Sequence, residues 1–346
     1  EIKQISKNAA KNIYLSVGSP DFRVQHSRGI VAVSRADSEI YKDDIDRAIE
    51  ASQAVKLPLN RMIVHSVTKE YIVDDVPDVR DPLGMVGNRL EVQSLIIDSF
   101  APAIKNLTKC VESAGGAVSG LIFSPLSSSQ AILTRNQKDL GVVLLDIGFG
   151  KTGMSVYEEG KLLHTAVFPV GSGNVTNDLA IGLKTSVAAA ESIKLSLGFA
   201  VAKEIPVREV VDLKKYDPSA KGTTSRRFIS EVIEVRLAEI LEFVNNELKC
   251  ISKSAKLPAG IILTGGGSKL PGIVDLAKQE LRLSAQIGVP DLPELDLPDN
   301  SMMSQLEEPE MSCAIGLVLM GAERNESSAM FDSVGFLKRL FRSFLP

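Results

Sequence analysis

The chain has 346 residues, 44% of them hydrophobic, and a formal net charge of −4. This length favours two or more domains with sizeable cores, and the negative balance argues against a protein that binds nucleic acid through its overall charge. Three cysteines (Cys110, Cys250 and Cys313) without a CxxC pair fit reduced thiols in a cytoplasm, and with only three histidines they argue against a structural zinc site. No apolar run approaches the roughly 20 residues that span a bilayer, and no signal peptide is evident.

The first third of the chain has the pattern of a small α/β unit. Its predicted elements, in chain order, are strand 12–18, strand 21–34, helix 42–57, strand 61–75, strand 88–100 and helix 101–115. Alternating apolar and polar residues predict the strands, and apolar residues that recur on one face predict the helices. The order strand, helix, strand, strand across about 18–97 indicates one compact module.

The rest of the chain predicts a second, larger α/β unit. Its predicted elements are a strand and glycine turn at 141–150, strands 153–160 and 162–171, helices 172–183, 186–198 and 226–249, a strand, turn and helix at 259–281, and an apolar helix at 311–323. Residues 201–225 have the pattern of strands and a loop, and 290–310 form a proline- and acid-rich loop. No internal repeat is present.

Two glycine turns, LLDIGFGKTG at 144–153 and ILTGGGSKLPG at 262–272, follow apolar strands. A turn without side chains lets backbone N–H groups approach a phosphate, and glycine tolerates the positive φ that such a turn needs. Asp146, at the end of the first strand, could hold Mg²⁺ through water. Either turn alone is also explained as a tight β-turn, and neither matches the P-loop pattern or GxGxxG.

The two turns, together with AESIK at 190–194, resemble the actin/Hsp70/sugar-kinase ATPase fold in order and approximate spacing. Glu191 and Lys194 resemble the pair that contacts the ribose and base, although alone they also fit an ordinary surface ion pair. The resemblance implies ATP and Mg²⁺ as ligands, with Mg²⁺ at Asp146. It implies the following nucleotide-binding residues: Asp146, Gly148, Gly150, Lys151, Thr152, Glu191, Lys194, Gly265, Gly266, Gly267 and Ser268.

Within that superfamily the chain resembles the FtsA family of bacterial cell-division proteins. The resemblance rests on stretches such as GKLLHTAVFPVGSGNVTNDLAIGL, SEVIEVRLAEILEFVNNEL and GIILTGGGSKLPGIV, in the family's order, and extends over nearly all of residues 1–346. In the front half, HSVTKEYIVDDVPDVRDPLGMVGNRLEV resembles the family's 1C subdomain. The expected fold is therefore α/β, actin-like and two-lobed, with an FtsA-type 1C subdomain.

The resemblance also implies a division of the chain into subdomains. These are a remnant of subdomain 1A at 1–17, a 1C-like subdomain at 18–97, subdomain 1A at 98–145, subdomain 2A at 146–195, a 2B-like insertion at 196–257, subdomain 2A at 258–310, a 1A helix at 311–322, a linker at 323–334 and an amphipathic helix at 335–346. Because the family opens with strands that carry a first phosphate loop, the chain is expected to be incomplete at its N-terminus.

Two further departures from the family pattern concern catalysis. In the first turn, Phe149 and Lys151 replace a glycine and a threonine and Gly153 replaces an aspartate, so that a bulky side chain narrows the loop while Lys151 could meet a phosphate. Ser124 stands where Hsp70-like ATPases place an acid, which leaves no evident base to orient the attacking water. Nucleotide binding with at most weak ATPase activity is therefore expected.

The chain ends in SVGFLKRLFRSFLP, which predicts an amphipathic helix after a polar tether. Its apolar residues Phe336, Leu337, Leu340, Phe341, Phe344 and Leu345 form one stripe, and its cations Lys338, Arg339 and Arg342 lie off that stripe. Such a helix suits the surface of an anionic membrane, although a terminal helix docked on its own domain has the same pattern. One copy should bind reversibly, and copies linked in a filament should bind roughly 10²–10⁴ times more tightly.

The family resemblance implies a membrane anchor for the division ring. It implies binding of the C-terminal peptide of FtsZ through subdomain 2B, self-assembly into filaments through 1C, and a place on the cytoplasmic face of the cell membrane at the division site. Arg236 on the helix 226–249 is the candidate peptide-binding residue, since a cation could meet an acidic peptide; it also fits a solvated helix cation.

Two alternatives remain open. One is an adaptor of type IV pilus assembly similar to PilM, which shares the actin-like fold and the 1C-like subdomain but needs no terminal amphipathic helix. The other is a small-molecule kinase of the same superfamily, which predicts a carboxylate or histidine poised for phosphoryl transfer in the cleft. The terminal helix favours the division protein over the first, and the absence of an evident acid or base disfavours the second.

Overall fold

A computed structural model of the chain describes residues 9–220, 222–291 and 304–322. The predicted linker and terminal amphipathic helix, with every membrane-binding residue proposed above, lie outside the described residues. So do the first eight residues and most of the proline- and acid-rich loop.

The helices and strands closely follow the predicted order. The strands are β1 Ile13–Val17, β2 Arg23–Ala32, β3 Arg61–Val73, β4 Val76–Val79, β5 Arg89–Phe100, β6 Val118–Phe123, β7 Val142–Ile147, β8 Thr152–Glu158, β9 Lys161–Phe168, β10 Val210–Asp212, β11 Thr223–Ser225, β12 Ile261–Thr264 and β13 Ala285–Ile287. The α-helices are α1 Lys42–Gln53, α2 Ala101–Ser113, α3 Ser124–Ile132, α4 Arg135–Leu140, α5 Ser172–Leu183, α6 Val187–Leu197, α7 Arg226–Cys250 and α8 Ile273–Leu281. Residues 312–322 are also helical.

The front unit is a four-stranded antiparallel sheet, β2-β5-β3-β4, with α1 packed on one face. The predicted order of strand, helix, strand, strand is confirmed, and the short β4 is added to it. The helix lies close to β2 at Gly29, where a Cβ atom would fall 2.6 Å from the backbone nitrogen of Ser52. Leu90 and Val92 of β5 are fully buried in the core between sheet and helix.

The chain enters and leaves this unit at one point. The Asp21 carboxylate accepts hydrogen bonds from the Phe100 backbone nitrogen at 2.9 Å and from the Ser99 hydroxyl at 3.2 Å. The buried Arg61 side chain pairs with Asp98 and donates to the Asp21 carbonyl at 2.8 Å. These contacts join the two ends of the unit, which is the geometry of a module inserted into a larger domain.

The larger unit is built on a five-stranded sheet in the order β13-β12-β7-β8-β9. Strands β13, β12 and β7 are parallel, and β8 and β9 complete the sheet as an antiparallel hairpin extension. Helices α5, α6, α7 and α8 supply the core on one face, where the buried residues of α7 include Ile233, Leu237 and Ile240. On the other face, buried residues of α3 and Ile315 pack against β7 and β12.

A pair of parallel strands, β1 and β6, connects the two units. Residues 312–322 pack against α3 nearby, where the Ser127 hydroxyl donates to the Cys313 carbonyl at 2.7 Å. The Cys313 thiol in turn lies 3.1 Å from the Ser16 hydroxyl just before the end of β1. This arrangement places β1, α3 and residues 312–313 at the edge of the sheet where β7 and β12 end.

Candidate functional site

Both glycine turns meet at the same edge of the five-stranded sheet, because β7 and β12 are adjacent and parallel. Thr264 is paired in register with Asp146, so the two turns begin side by side. Gly265 has φ of +81°, and a Cβ atom there would collide with the Asp146 carboxylate and lie 2.7 Å from the Ile147 carbonyl oxygen. Only glycine allows the second turn to approach the first this closely.

Asp146 lies at the centre of this edge. Its Oδ2 accepts a hydrogen bond of 2.6 Å from the Ser128 hydroxyl on α3. Burial raises the pKa of the Asp146 carboxyl, against the opposing effects of the Ser128 hydrogen bond and the Lys151 charge. The hydrogen bond from Ser128 holds the Asp146 carboxylate in place where the two turns begin.

A cavity of about 380 Å³, which we call the aspartate cavity, opens beside this carboxylate. Its lining residues are Ser16, Ser124, Asp146, Gly148, Phe149, Lys151, Gly153, Gly265, Gly266, Glu310 and Cys313. The Lys151 ammonium donates to the Gly18 carbonyl at 2.5 Å and lies 3.3 Å from the Ser124 hydroxyl. The walls therefore combine glycine backbone, one cation and two carboxylates, those of Asp146 and Glu310, with few bulky side chains. Glycine backbone and a cation suit phosphate groups.

A second cavity of about 260 Å³, the lysine cavity, adjoins the first. Its lining residues are Phe149, Ser172, Val175, Glu191, Lys194, Leu195, Leu237, Gly266, Gly267, Lys269, Leu270, Pro271 and Glu310. Three of these, Phe149, Gly266 and Glu310, line both cavities. The lysine cavity joins apolar walls to charged groups at its rim, as sites for ring-bearing ligands do.

Glu191 and Lys194 form the predicted pair, with 2.7 Å between the ammonium and a carboxylate oxygen, and only 6% of the Lys194 side chain is exposed. The ammonium also donates to the Thr176 hydroxyl at 2.9 Å and to the Ser172 carbonyl at 3.2 Å. Burial raises the pKa of Glu191, but the hydrogen bonds from Lys194 and Thr176 outweigh it and hold that pKa below its usual value. The pair is thus a built part of the cavity wall rather than an ordinary surface ion pair.

The first turn also caps helix α5. The Ser172 nitrogen donates to the Gly148 carbonyl at 2.9 Å, and the Gly173 nitrogen donates to the Phe149 carbonyl at 2.7 Å. These bonds occupy the first amides of the helix and fix the backbone of the turn. The Phe149 ring nevertheless remains 66% exposed at the junction of the two cavities.

Most of the predicted nucleotide residues are brought together by the fold. Asp146, Gly148, Lys151, Gly265 and Gly266 line the aspartate cavity, and Glu191, Lys194, Gly266 and Gly267 line the lysine cavity. Gly150, Thr152 and Ser268 are not part of either lining. Buried Thr152 and Ser268 instead donate their hydroxyls to the carbonyls of Val170 and Gly265, both at 2.8 Å, and so support the turns from behind.

Several residues of the two cavities were missed at the level of sequence. Lys269 follows the glycines of the second turn and pairs with Glu308 at 3.0 Å and with Glu310 at 3.6 Å. Its position inside GGGSKLPG was a usable signal, because a cation beside a phosphate-binding turn fits an anionic ligand. Glu310, which lines both cavities, and Ser128, which holds Asp146, gave no such signal, since only the packing of separate elements brings them to the cleft.

Arg236 lies elsewhere, on the side of α7 that faces α5. Its guanidinium binds both carboxylate oxygens of Asp178, at 2.6 and 3.1 Å, and also contacts Glu239. It lines an open groove of about 900 Å³ with an apolar floor that includes Phe228, Val232 and Val235. The acidic residues around this groove are Asp178, Glu231, Glu239, Glu242 and Glu280. Arg236 is thus a paired cation in an acidic setting, not a solvated one.

Within 9–220, 222–291 and 304–322, His, Cys, Asp and Glu side chains form no group of three that could hold a metal ion. Over the same ranges, no helix has both the length and the apolar character needed to cross a membrane.

Comparison with known proteins places these features in a family. The family profile described as Cell division protein FtsA matches residues 143–316, and the profile of the SHS2 domain inserted in FTSA matches residues 21–98. The second match covers the four-stranded unit whose ends meet at Asp21.

Individual relatives agree with the profiles. The Cell division protein FtsA of Pseudomonas aeruginosa is 33% identical over 334 residues, which cover 96% of this chain and 78% of that protein. The protein of the same description from Bacillus subtilis (strain 168) is 37% identical over 268 residues, which cover 78% of this chain and 61% of that protein.

A solved structure described as the PilM-PilN type IV pilus biogenesis complex has a chain of similar fold, with a TM-score of 0.60 and 17% identity over 90% of this chain and 80% of that chain. At that identity the likeness concerns the fold alone. The extent and identity of the sequence matches decide between the two families, and the chain belongs to the FtsA family of cell-division proteins, with the actin-like α/β fold expected from its sequence.

Proposed function

We propose that this chain is a scaffold of the division ring that binds a nucleotide in its cleft, holds FtsZ by its C-terminal peptide and attaches to the membrane through its terminal helix. One observation carries the nucleotide part: both glycine turns, Asp146 and the Glu191–Lys194 pair converge on two adjoining cavities.

In this proposal the phosphates of ATP occupy the aspartate cavity and the nucleoside occupies the lysine cavity. Backbone N–H groups of the glycine turns and the Lys151 ammonium would meet the phosphates, and Glu191 and Lys194 would meet the ribose and base. The donor set fits Mg²⁺, which is held in proteins by one or two carboxylates together with water and phosphate oxygens. Asp146 is the carboxylate so placed, and the bound ion would neutralise phosphate charge.

Slow or absent hydrolysis is part of the proposal. Ser124 occupies the start of α3 beside Lys151, where a carboxylate would be needed to orient an attacking water. A hydroxyl paired with a lysine is a poor general base at neutral pH. The nucleotide would therefore act as a bound effector that biases assembly.

The 1C-like unit would supply a filament contact through the edges of its sheet at β2 and β4.

The groove along α7 is the proposed FtsZ site. Its apolar floor suits anchoring side chains of a peptide, and Val235 is 72% exposed there. Arg236 is already paired with Asp178, so a peptide carboxylate would have to displace that partner. The surplus of acidic groups around the groove favours a peptide that combines apolar residues with cations, in contrast to the purely acidic peptide expected from Arg236 alone.

The peptide site is tested by calorimetry with the C-terminal peptide of FtsZ. Val235→Asp should weaken binding at least tenfold by placing a charge on the apolar floor, while Val86→Asp, a change at a similarly exposed valine between β4 and β5, should leave it unaltered. Equal loss in both variants, or none in either, would contradict the α7 site. Arg236→Ala compared with Asp178→Asn separates a direct role of the cation from a structural one.

The membrane part is tested by co-sedimentation with anionic vesicles. The full chain should sediment, and a chain lacking residues 335–346 should stay in the supernatant with and without ATP and Mg²⁺. Neutral vesicles serve as the control for charge. Sedimentation of the truncated chain would refute the terminal helix as the anchor.

A further inference from the structure

We infer that the Phe149 side chain is a gate between the aspartate and lysine cavities, which a nucleotide must displace in order to occupy both. The inference rests on the proposed nucleotide site and concerns how that site admits its ligand. It predicts that Phe149 slows the entry of ligands that span both cavities and leaves ligands confined to one cavity unaffected.

The position of the ring is the first support. Phe149 lines both cavities, and Gly266 and Glu310 are the other two residues that the two linings share. A ligand with its nucleoside in one cavity and its phosphates in the other has to pass between these residues. The large ring therefore stands where the connecting part of such a ligand would run.

The way the ring is held is the second support. The ring lies against the start of α5, where a Cβ atom on Gly173 would be 2.8 Å from it. Its other neighbour is the Lys194 ammonium, 5.9 Å from the ring centroid. Because its neighbours are a glycine on one side and a distant cation on the other, the ring is held by only weak contacts. Phe149 is 66% exposed, so the ring is not part of the core.

The backbone beneath the ring is fixed, which confines movement to the side chain. The Phe149 carbonyl accepts from the Gly173 nitrogen at 2.7 Å, and the neighbouring Gly148 carbonyl accepts from Ser172 at 2.9 Å. Around Gly150, no atom other than those of its two chain neighbours lies within 4 Å of the position that a Cβ would take, so there is open space beside the turn. Rotation of the side chain can thus open the passage without rebuilding the loop.

This arrangement distinguishes ligands by length. Adenosine fits the lysine cavity alone and does not need the gate to open, whereas ADP and ATP do. If the open rotamer is populated about one tenth of the time, removal of the ring raises the apparent affinity and the association rate for ATP roughly tenfold. The affinity for adenosine stays unchanged.

The test compares the full chain with Phe149→Ala and Phe149→Leu, and uses Leu59→Ala, a fully exposed loop residue, as the matched control. Stopped-flow association of a fluorescent ATP gives the rate, calorimetry with ATP, ADP and adenosine gives the affinities, and thermal unfolding checks the fold. We expect roughly tenfold faster ATP association for Phe149→Ala, little change for Phe149→Leu and none for Leu59→Ala.

Three outcomes would overturn the gate. Equal ATP association rates for the full chain and Phe149→Ala would show that the ring does not obstruct entry. Weaker binding of both adenosine and ATP by Phe149→Ala would make the ring a contact surface for the ligand. Failure of every variant to bind any of the three ligands would remove the proposed nucleotide site, and the gate with it.

Discussion

The Lys151 ammonium spans the cleft and donates a hydrogen bond of 2.5 Å to the carbonyl of Gly18, which lies 133 positions earlier in the chain. Gly18 follows β1, and a Cβ atom there would fall 2.9 Å from the same ammonium. One side chain thus connects the first glycine turn of the larger unit to the strand that leads into the front unit. It is also the cation closest to the proposed phosphates.

Replacing Lys151 with Met should weaken ATP binding about tenfold or more, because a hydrogen bond to a charged group contributes about 1.5–3 kcal/mol. Adenosine, which lacks phosphates, should bind as before. Calorimetry with both ligands measures the difference, and Lys105→Met on the exposed side of α2 is the charge-matched control. Equal loss for ATP and adenosine would mean that Lys151 supports the fold rather than the phosphates.

Substitution by alanine should destabilise the protein at Gly265 and have little effect at Gly150. Gly265→Ala has to adopt φ of +81° and collides with the Asp146 carboxylate, so we expect a loss of about 1–3 kcal/mol in unfolding free energy and loss of ATP binding. Gly150→Ala meets no atom within 4 Å beyond its two chain neighbours and should change stability by less than about 0.5 kcal/mol. Thermal unfolding of both variants measures this, and equal melting temperatures would refute the close approach of the turns.

Asp146→Asn should separate stability from function. The pKa of Asp146 is raised by burial, so at neutral pH the ionised carboxylate opposes folding, and the neutral amide should raise the unfolding temperature in the absence of metal. The same change removes the carboxylate that fits Mg²⁺ and should abolish the dependence of ATP affinity on Mg²⁺. Calorimetry with and without Mg²⁺ and thermal unfolding in EDTA measure the two effects. A variant that is less stable and still senses Mg²⁺ would contradict both expectations.

Asp217 should make stability depend on acid pH. Its carboxylate accepts hydrogen bonds from Ser219, from the Ser186 nitrogen at 3.0 Å and from the Thr185 hydroxyl at 2.9 Å, and these hold its pKa well below the usual value. The stabilisation is therefore complete above the unfolded pKa of about 3.9 and is lost as the pH falls below it. Because Ser186 caps α6, which carries Glu191 and Lys194, Asp217 also positions the wall of the lysine cavity.

Asp217→Asn should lower the unfolding temperature at pH 7, and the difference from the full chain should shrink between about pH 4 and pH 3. Asp275→Asn, an exposed change on α8, serves as the control for general charge effects. Thermal unfolding at several pH values measures the effect. A constant difference across that range would show that the hydrogen bonds to Asp217 do not depend on its charge.

Periodicity and turn residues predicted the elements, because burial on one face repeats every two residues in a strand and about every 3.6 in a helix. This is why the long α7 and the strand before each glycine turn could be identified within a few residues. The strand β4 was missed because Val76–Val79 is short and contains a proline, which weakens the strand pattern. The resemblance to the actin/Hsp70/sugar-kinase fold then supplied the fold and the pair Glu191 and Lys194, and the resemblance to the FtsA family supplied the 1C-like subdomain.

Sequence alone determined the order of the elements, the position of both glycine turns and the family, because each of these depends on residues that lie near one another in the chain. Only the tertiary structure decided that Ser128 orients Asp146 and that Arg236 is paired with Asp178. It also decided that Glu310 and Lys269 close the lysine cavity and that Phe149 lies between the two cavities. These contacts join distant segments through packing around shared cores. Local patterns report whether a residue is buried, and only the packed chain determines which side chain it meets.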